Sequence, residues 1–327
     1  MEGGRVTDGR KPLTPRRGEG KVAYVSEWGS SVRAEKGVIR CYLRGEVKWE
    51  VPAVELEAVV FLVTASLSTE VIRLCQEYGI DVVFLSGNRP FARIVPSSYT
   101  GSPRLWVRQL TFKGKHLIAR EIASAKLHNQ AVTLRYYLRK YGPDEEPARK
   151  LEALSSEVKF SSSREEVMAK EAEGARTYWG VVASLLPGEL GFRAREKRGA
   201  KDPFNVALNM GYGVLKAFCW RAVFTAGLLP HLGVLHAYRA GRPSLVLDLM
   251  EEFRSPFVDR PLLALARSDP PLVKSLGDGE GGRFDEARKR VYREVTEAIR
   301  EEEVTTQARR LANAILGAGE YRGYRTR

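Results

Sequence analysis

One short stretch of the chain could bring two carboxylates and an imidazole together. His236 stands in GVLHAYRAGRP, and Asp248 and Glu251 follow in SLVLDLMEEF, residues 244–253. The second segment reads as a helix. Ser244 after Pro243 is a good N-cap, and Leu245, Val246, Leu249, Met250 and Phe253 share one apolar face. Asp248 and Glu251 are three positions apart, so their side chains lie about 60° apart on the other face. Hard divalent cations take clustered carboxylate oxygens, and imidazole suits Mn2+ and later metals better than Mg2+. Only a short loop separates His236 from the two acids, so all three can converge. The same residues would equally serve as a solvated acidic face beside a structural histidine.

A further acid comes from upstream. Ser163-Arg164-Glu165-Glu166 is a capping-box pattern that opens a helix. Its expected buried stripe is Met168, Ala172, Ala175, Trp179, Val182 and Leu186. Glu173 lies off that stripe beside Arg176, and its side of the helix carries the small residues Ala169, Gly180 and Ser184. Small neighbours leave room for a metal or a phosphate. An exposed Glu173–Arg176 pair fits the pattern as well, and spacing does not choose between them.

The elements that must position these groups belong to a basic chain of 327 residues with net charge +13, of which 43% are hydrophobic. A core of one large or two ordinary domains is therefore expected. No run of apolar residues is long enough to cross a bilayer, so no membrane is expected as a partner. Residues 1–20 are polar, Gly-rich and basic, lack the apolar segment of a secretory signal, and read as a flexible basic tail. Cys41, Cys75 and Cys219 are far apart in apolar patterns, as buried thiols of a cytoplasmic protein would be.

The charge is concentrated. Residues 22–96 carry eight Lys/Arg against nine Asp/Glu, whereas residues 104–141 carry nine basic residues against Glu121 alone. A second basic run holds Arg193, Arg195, Lys197, Arg198 and Lys201. Trp106, Phe112, Tyr136, Tyr137 and Tyr141 lie among or beside these charges. Lys and Arg neutralise phosphates and aromatic rings stack on bases, so nucleic acid is the expected polyanion.

Hydrophobic periodicity divides the chain. Residues 21–96 read as β-rich. Ile39, Cys41 and Leu43 alternate with polar neighbours, as do Val47, Trp49 and Val51, with Gly45 between as a hairpin turn. Strands are expected at 58–63, 80–85 and 91–95, a helix at 69–78 stopped by Gly79, and a turn at Gly87-Asn88. Residues 97–103 read as a linker. Residues 104–327 read as helical, with periods near 3.6 in 106–141, 164–186, 206–226, 245–253 and 284–315, and a mobile loop at 277–282. The expected fold class is α+β, a small N-terminal β-rich domain followed by a larger C-terminal all-α-helical domain.

Ordered along the chain, several segments resemble one family. They are Lys126-Leu127-His128-Asn129-Gln130, Glu173-Gly174-Ala175-Arg176-Thr177-Tyr178-Trp179 and the run from Asp202 through Gly213. Gly233-Val234-Leu235-His236, Ser244 through Arg254, and Val258-Asp259-Arg260 follow. Together they resemble the CRISPR-associated integrase, the endonuclease subunit of spacer acquisition. The resemblance spans most of the chain from about Val22. Ser255 stands where the family often has Pro, with Pro256 one place later, and the basic tail is extra.

The resemblance implies three metal ligands, Glu173, His236 and Glu251, for Mn2+ or Mg2+, with Asp248 as an acidic neighbour. It implies double-stranded DNA as substrate, a homodimer, and a small ferredoxin-like CRISPR adaptation subunit as partner. The β-rich domain would carry the dimer and partner contacts. It implies 3′-OH attack on phosphodiesters at a CRISPR array. Arg176, Lys197 and Arg198 are expected to contact phosphates. Two other readings stay open, a structure-specific nuclease on branched DNA and a non-catalytic DNA-binding scaffold.

Overall fold

Alternating side chains build the first sheets. The structure, a computed structural model, describes residues 21–86, 89–94, 102–197, 199–237, 242–279 and 281–326. Strands β1 (Lys21–Val25), β5 (Leu56–Phe61), β7 (Asp81–Ser86) and β8 (Arg89–Ile94) form a sheet in the order β1-β5-β7-β8. Its first three strands are parallel and β8 is antiparallel. Strands β2 (Ser31–Glu35), β3 (Val38–Leu43), β4 (Glu46–Pro52) and β6 (Ser66–Leu67) form a second sheet in the order β4-β3-β2-β6. The expected hairpin is β3–β4, turning at Arg44 and Gly45, both at positive φ as a two-residue hairpin favours. Strands β1, β2 and β6 had no individual sequence signal. Helix α1 (Thr69–Tyr78) is capped by Ser68 and ends on Gly79 in the left-handed region. Val25, Val32, Ile39, Val59, Phe61, Val71 and Val82 lie in the core of this part.

The rest is helical. Gly87-Asn88 and most of the expected linker lie outside the described residues. Ser102 already caps α2 (Pro103–Thr111), with Pro103 in its first turn. The expected 106–141 helix is two, because Phe112–Gly114 breaks it before α3 (Lys115–Tyr141). Helices α4 (Glu146–Glu157), α5 (Arg164–Leu185) and α6 (Pro203–Thr225) follow, then α7 (Ser244–Met250) and α8 (Arg260–Ser268). The short α9 (Pro270–Lys274) precedes α10 (Gly282–Ala298) and α11 (Glu301–Leu316), which divide the expected 284–315 helix at Ile299-Arg300. Of the expected 277–282 loop, Glu280 lies outside the described residues. A second core runs from Leu105 to Tyr321 through these helices.

Three features matter for the site. Helix α6 is buried along most of its length. It also meets the strand-rich part, where a Cβ on Gly213 would lie 2.8 Å from the Val54 carbonyl. Helices α3 and α5 approach closely at Gly174, where a Cβ would overlap Leu127 Cδ2. Between α7 and α8, Ser255–Asp259 form a π-helical turn containing Pro256. Proline lacks the N–H that a regular helix would use there, and such turns re-aim neighbouring side chains.

Candidate metal centre

The His236 loop is held from both ends. At one end, Gln109 on α2 is buried. Its Nε2 donates to the Leu229 carbonyl at 2.9 Å, and its Oε1 accepts the Leu229 N–H at 2.8 Å. At the other end, Asp248 on α7 is fully buried and accepts backbone N–H groups from Val234 (2.6 Å), Leu235 (2.9 Å) and His236 (3.1 Å). Gly233 makes this wrap possible, since a Cβ there would lie 2.7 Å from the His236 carbonyl and 2.8 Å from Asp248 Oδ2. Asp248 Oδ1 also lies 2.5 Å from His236 Nδ1. A carboxylate can only accept, so Nδ1 carries a proton, and in the neutral imidazole the lone pair is then on Nε2. Ser244, expected to cap α7, instead donates its hydroxyl to the Ala237 carbonyl.

Asp248 and Glu251 are not a solvated face. Glu251 is buried, with Lys126 Nζ 2.7 Å from its Oε2 and Arg254 Nε 3.1 Å from its Oε1. Burial alone would push its carboxyl up. The Arg254 and Lys126 charges outweigh that and hold it well below the usual carboxylate range, with His236 near enough to contribute. Its Oε2 has the Lys126 ammonium as its partner.

The upstream helix is rotated relative to the expected stripe. Met168 is exposed, and the buried positions of α5 are Val167, Gly174, Tyr178, Val182 and Leu185. At about 100° per residue, Glu171 lies about 20° from Tyr178 around the helix and Glu173 about 140° away. Accordingly Glu171 Oε1 contacts Lys126 Nζ, the same ammonium that pairs with Glu251. Glu173 sits on the other side with 42% of its side chain exposed, 2.9 Å from Lys150 Nζ. The Lys150 hydrogen bond and charge hold its carboxyl below the ordinary value. The structure therefore pairs His236 with Asp248, joins Glu251 to Glu171 through Lys126 with His236 near enough to act on Glu251 by charge, and leaves Glu173 apart. Extending the Tyr178–Val182–Leu185 row back by two turns would have pointed to Glu171.

Of the expected phosphate contacts, Lys197 belongs to this cluster. Its side chain is exposed, yet partial desolvation of its ammonium and the nearby charges of Arg254, Lys126 and Arg195 lower its pKa from the ordinary lysine value, against the opposing effect of Glu251. Arg176 is exposed on the Glu173 side, and Arg198 lies outside the described residues. Two more buried acids flank the site. Glu252 faces away from Glu251 and accepts from Tyr321 Oη (2.5 Å), Tyr324 N (2.8 Å) and Gln307 Nε2 (2.8 Å). Burial pushes its carboxyl up to about 7. Asp259 accepts from the hydroxyls of Tyr178 (3.0 Å) and Tyr212 (2.5 Å), and Arg254 stacks on the Tyr212 ring at 4.5 Å.

The donor set of Glu171, His236 and Glu251 fits a divalent ion in kind. It offers two carboxylates and an imidazole whose other nitrogen is fixed by Asp248, the supporting contact that metal-bound histidines usually make. Among the described residues, no three such donors are yet gathered as a ligand shell. Lys126 stands between the two carboxylates.

Comparison with known proteins identifies the frame around this site. The family model described as CRISPR associated protein Cas1 matches residues 23–278. The chain is 46% identical over 308 residues to CRISPR-associated endonuclease Cas1 1 of Saccharolobus solfataricus, covering 93% of this chain and 84% of that one. It is 35% identical to CRISPR-associated endonuclease Cas1 of Korarchaeum cryptofilum, covering 77% and 79%. Among solved structures, a casposase bound to integration product shares the fold with a TM-score of 0.63 at 19% identity, covering 93% of this chain and 92% of that one. A partial Cas6-RT-Cas1–Cas2 complex gives 0.61 at 20%, covering 94% and 100%. The chain is a member of the Cas1 family of CRISPR-associated endonucleases.

Proposed function

We propose that this chain is a divalent-metal-dependent DNA endonuclease that joins captured DNA fragments to a CRISPR array as new spacers, with Glu171, His236 and Glu251 as its metal ligands. The observation that carries the reading is the buried Glu251 carboxylate, kept ionised by cations and sharing Lys126 with Glu171, near an imidazole oriented by Asp248. Names of relatives support it: the similar chains are endonucleases, and a similar fold is a casposase bound to integration product.

Bound Mn2+ or Mg2+ would supply Lewis-acid polarisation of a phosphodiester and stabilise the attacking or leaving oxygen. The chain's residues do the rest. Asp248 keeps the Nδ1 proton on His236, so the neutral imidazole would present its lone pair at Nε2. Arg254, anchored on Tyr212, keeps Glu251 charged and pointed. Lys197, exposed at the rim of the same cluster, would meet a phosphate oxygen. Water as nucleophile gives cleavage, and a DNA 3′-OH gives strand transfer.

Partners follow the same reading. The long basic run on α2 and α3 favours DNA. The strand-rich part exposes Val22, Tyr24, Trp28, Val47 and Leu62, with Trp28 73% exposed. These apolar groups favour that part as the contact for a second copy and for a Cas2 subunit, the protein in complex with Cas1 in similar solved structures. No helix among the described residues is long and apolar enough to cross a membrane. All three cysteines are free and buried, which suits a cytoplasmic site of action.

The deciding experiment incubates a labelled duplex having free 3′-OH ends with a plasmid carrying repeats, with Mn2+ or with EDTA. Metal-dependent joined product supports the reading. Nicked strands without joining would favour a nuclease of branched DNA, and DNA binding without any metal-dependent product would leave a scaffold.

A further inference from the structure

We infer that the Lys126 ammonium is a built-in occupant of the metal centre, which a divalent ion must displace in order to bind. The inference rests on the reading of Glu171, His236 and Glu251 as ligands.

Lys126 comes from the middle of α3 and is nearly buried, with 12% of its side chain exposed. Its Nζ bridges Glu171 Oε1 and Glu251 Oε2, and the close approach of α3 to α5 at Gly174 brings the ammonium to Glu171. Without a cation between them, these two anions would repel each other in a water-poor site. Lys126 therefore does for the metal-free protein what a metal would do. Both cations draw on the same pair of carboxylates. Oxygen–metal bonds of Mg2+ are about 2.1 Å and ammonium–oxygen contacts are about 2.8 Å, so the two cannot bridge one pair of oxygens together.

Charge leads to the same conclusion. Counted formally, Glu171, Glu251 and Asp248 are balanced by Lys126, Arg254 and Lys197. A divalent ion added on top would leave a buried excess of two positive charges. Departure of Lys126 removes half of it. Arg254 is the less suited to leave, because its guanidinium stacks on Tyr212 at 4.5 Å and lies beside the Asp259 network. Lysine has a flexible four-carbon stem and can swing without moving the helix. Lys197 and Arg254 already crowd the site with positive charge, which favours the ammonium's exit toward solvent or an incoming phosphate.

The test uses full-length protein stripped of metal, without DNA, and reads Mn2+ binding directly from the paramagnetic signal of free Mn2+. Lys126→Met is expected to bind Mn2+ about tenfold or more tightly than wild type, because removing the ammonium leaves carboxylates needing a cation. Lys126→Gln, which keeps a polar stem should the Met variant fold poorly, is expected to shift the same way. Mn2+ is also expected to raise the melting temperature of either variant by more than it raises that of wild type. Unchanged or weaker Mn2+ binding in folded Lys126 variants, alongside lost binding in Glu251→Gln, overturns the inference and leaves the ligand reading standing. Wild-type Mn2+ binding in Glu251→Gln overturns the ligand reading itself, and the inference with it.

Discussion

Asp248 Oδ1 lies 2.5 Å from His236 Nδ1, and the same carboxylate receives three consecutive backbone N–H groups of the His236 loop. One side chain thus sets both the position of the loop and the tautomer of the imidazole. Asp248 acts through His236 rather than as a ligand. Asp248→Asn should cut strand transfer by about 10–100-fold, the usual cost of losing such a supporting contact. Asp248→Ala should also lower stability by several kcal/mol, since each stranded N–H costs roughly 1–3 kcal/mol. Gel assay of joined product and thermal melts check both, and a wild-type rate in Asp248→Asn would remove this role.

Glu171 and Glu173 give a direct contrast on one helix. Glu171→Gln should abolish joined product, by a hundredfold or more on the roughly several-kcal/mol scale of metal-assisted catalysis. Glu173→Gln removes an exposed pair with Lys150 and should stay within about threefold of wild type. Both should keep duplex binding in mobility-shift assays. An inactive Glu173→Gln beside an active Glu171→Gln would return the ligand role to Glu173.

Asp259 gives a pH signature. Burial raises its carboxyl from 3.8 to about 6, against the opposing hydrogen bonds of Tyr212 and Tyr178 and the charges of Arg254 and Arg195. A raised carboxyl in the folded state means folding favours the protonated form. That contribution is fully present below about pH 4 and is lost as pH rises through about 6. Asp259→Asn, which stays neutral, should therefore melt above wild type at pH 8. The gain is on the order of 3 kcal/mol at about 1.4 kcal/mol per unit. The difference should close near pH 4, and melts across pH 4–8 test the trend. A gap independent of pH would mean that the Asp259 proton is not involved.

Gln109 is distant in sequence from the centre yet holds the segment leading to His236. Gln109→Ala leaves the Leu229 N–H without its partner, while the Leu229 carbonyl keeps only the Leu232 N–H, and should cost roughly 1–3 kcal/mol. Amide exchange at Leu229 should accelerate, and strand transfer should fall less than in His236→Ala. Unchanged exchange at Leu229 would show that the loop holds itself.

Much of this molecule is legible in local pattern. The β3–β4 hairpin, α1 with its Gly79 stop, the span of α5 and the helix carrying Asp248 follow from periodicity, caps and turns, because those signals act over a few residues. Nearness of His236 to Asp248 follows from a short loop. Ordered motifs pointed to the family. What the sequence left open was which face of α5 is buried. Small residues at 169, 180 and 184 made the Glu173 side look like a pocket, whereas Tyr178 and Gly174 mark the packed side. Only the approach of α5 to α3, through residues separated by 45 positions, places Glu171 on Lys126. The burial of Asp248 and Glu251 is likewise a tertiary fact. Acids on a helix are buried only when distant partners offset their desolvation, and those partners, the His236 loop, Lys126 and Arg254, meet them only in the folded chain.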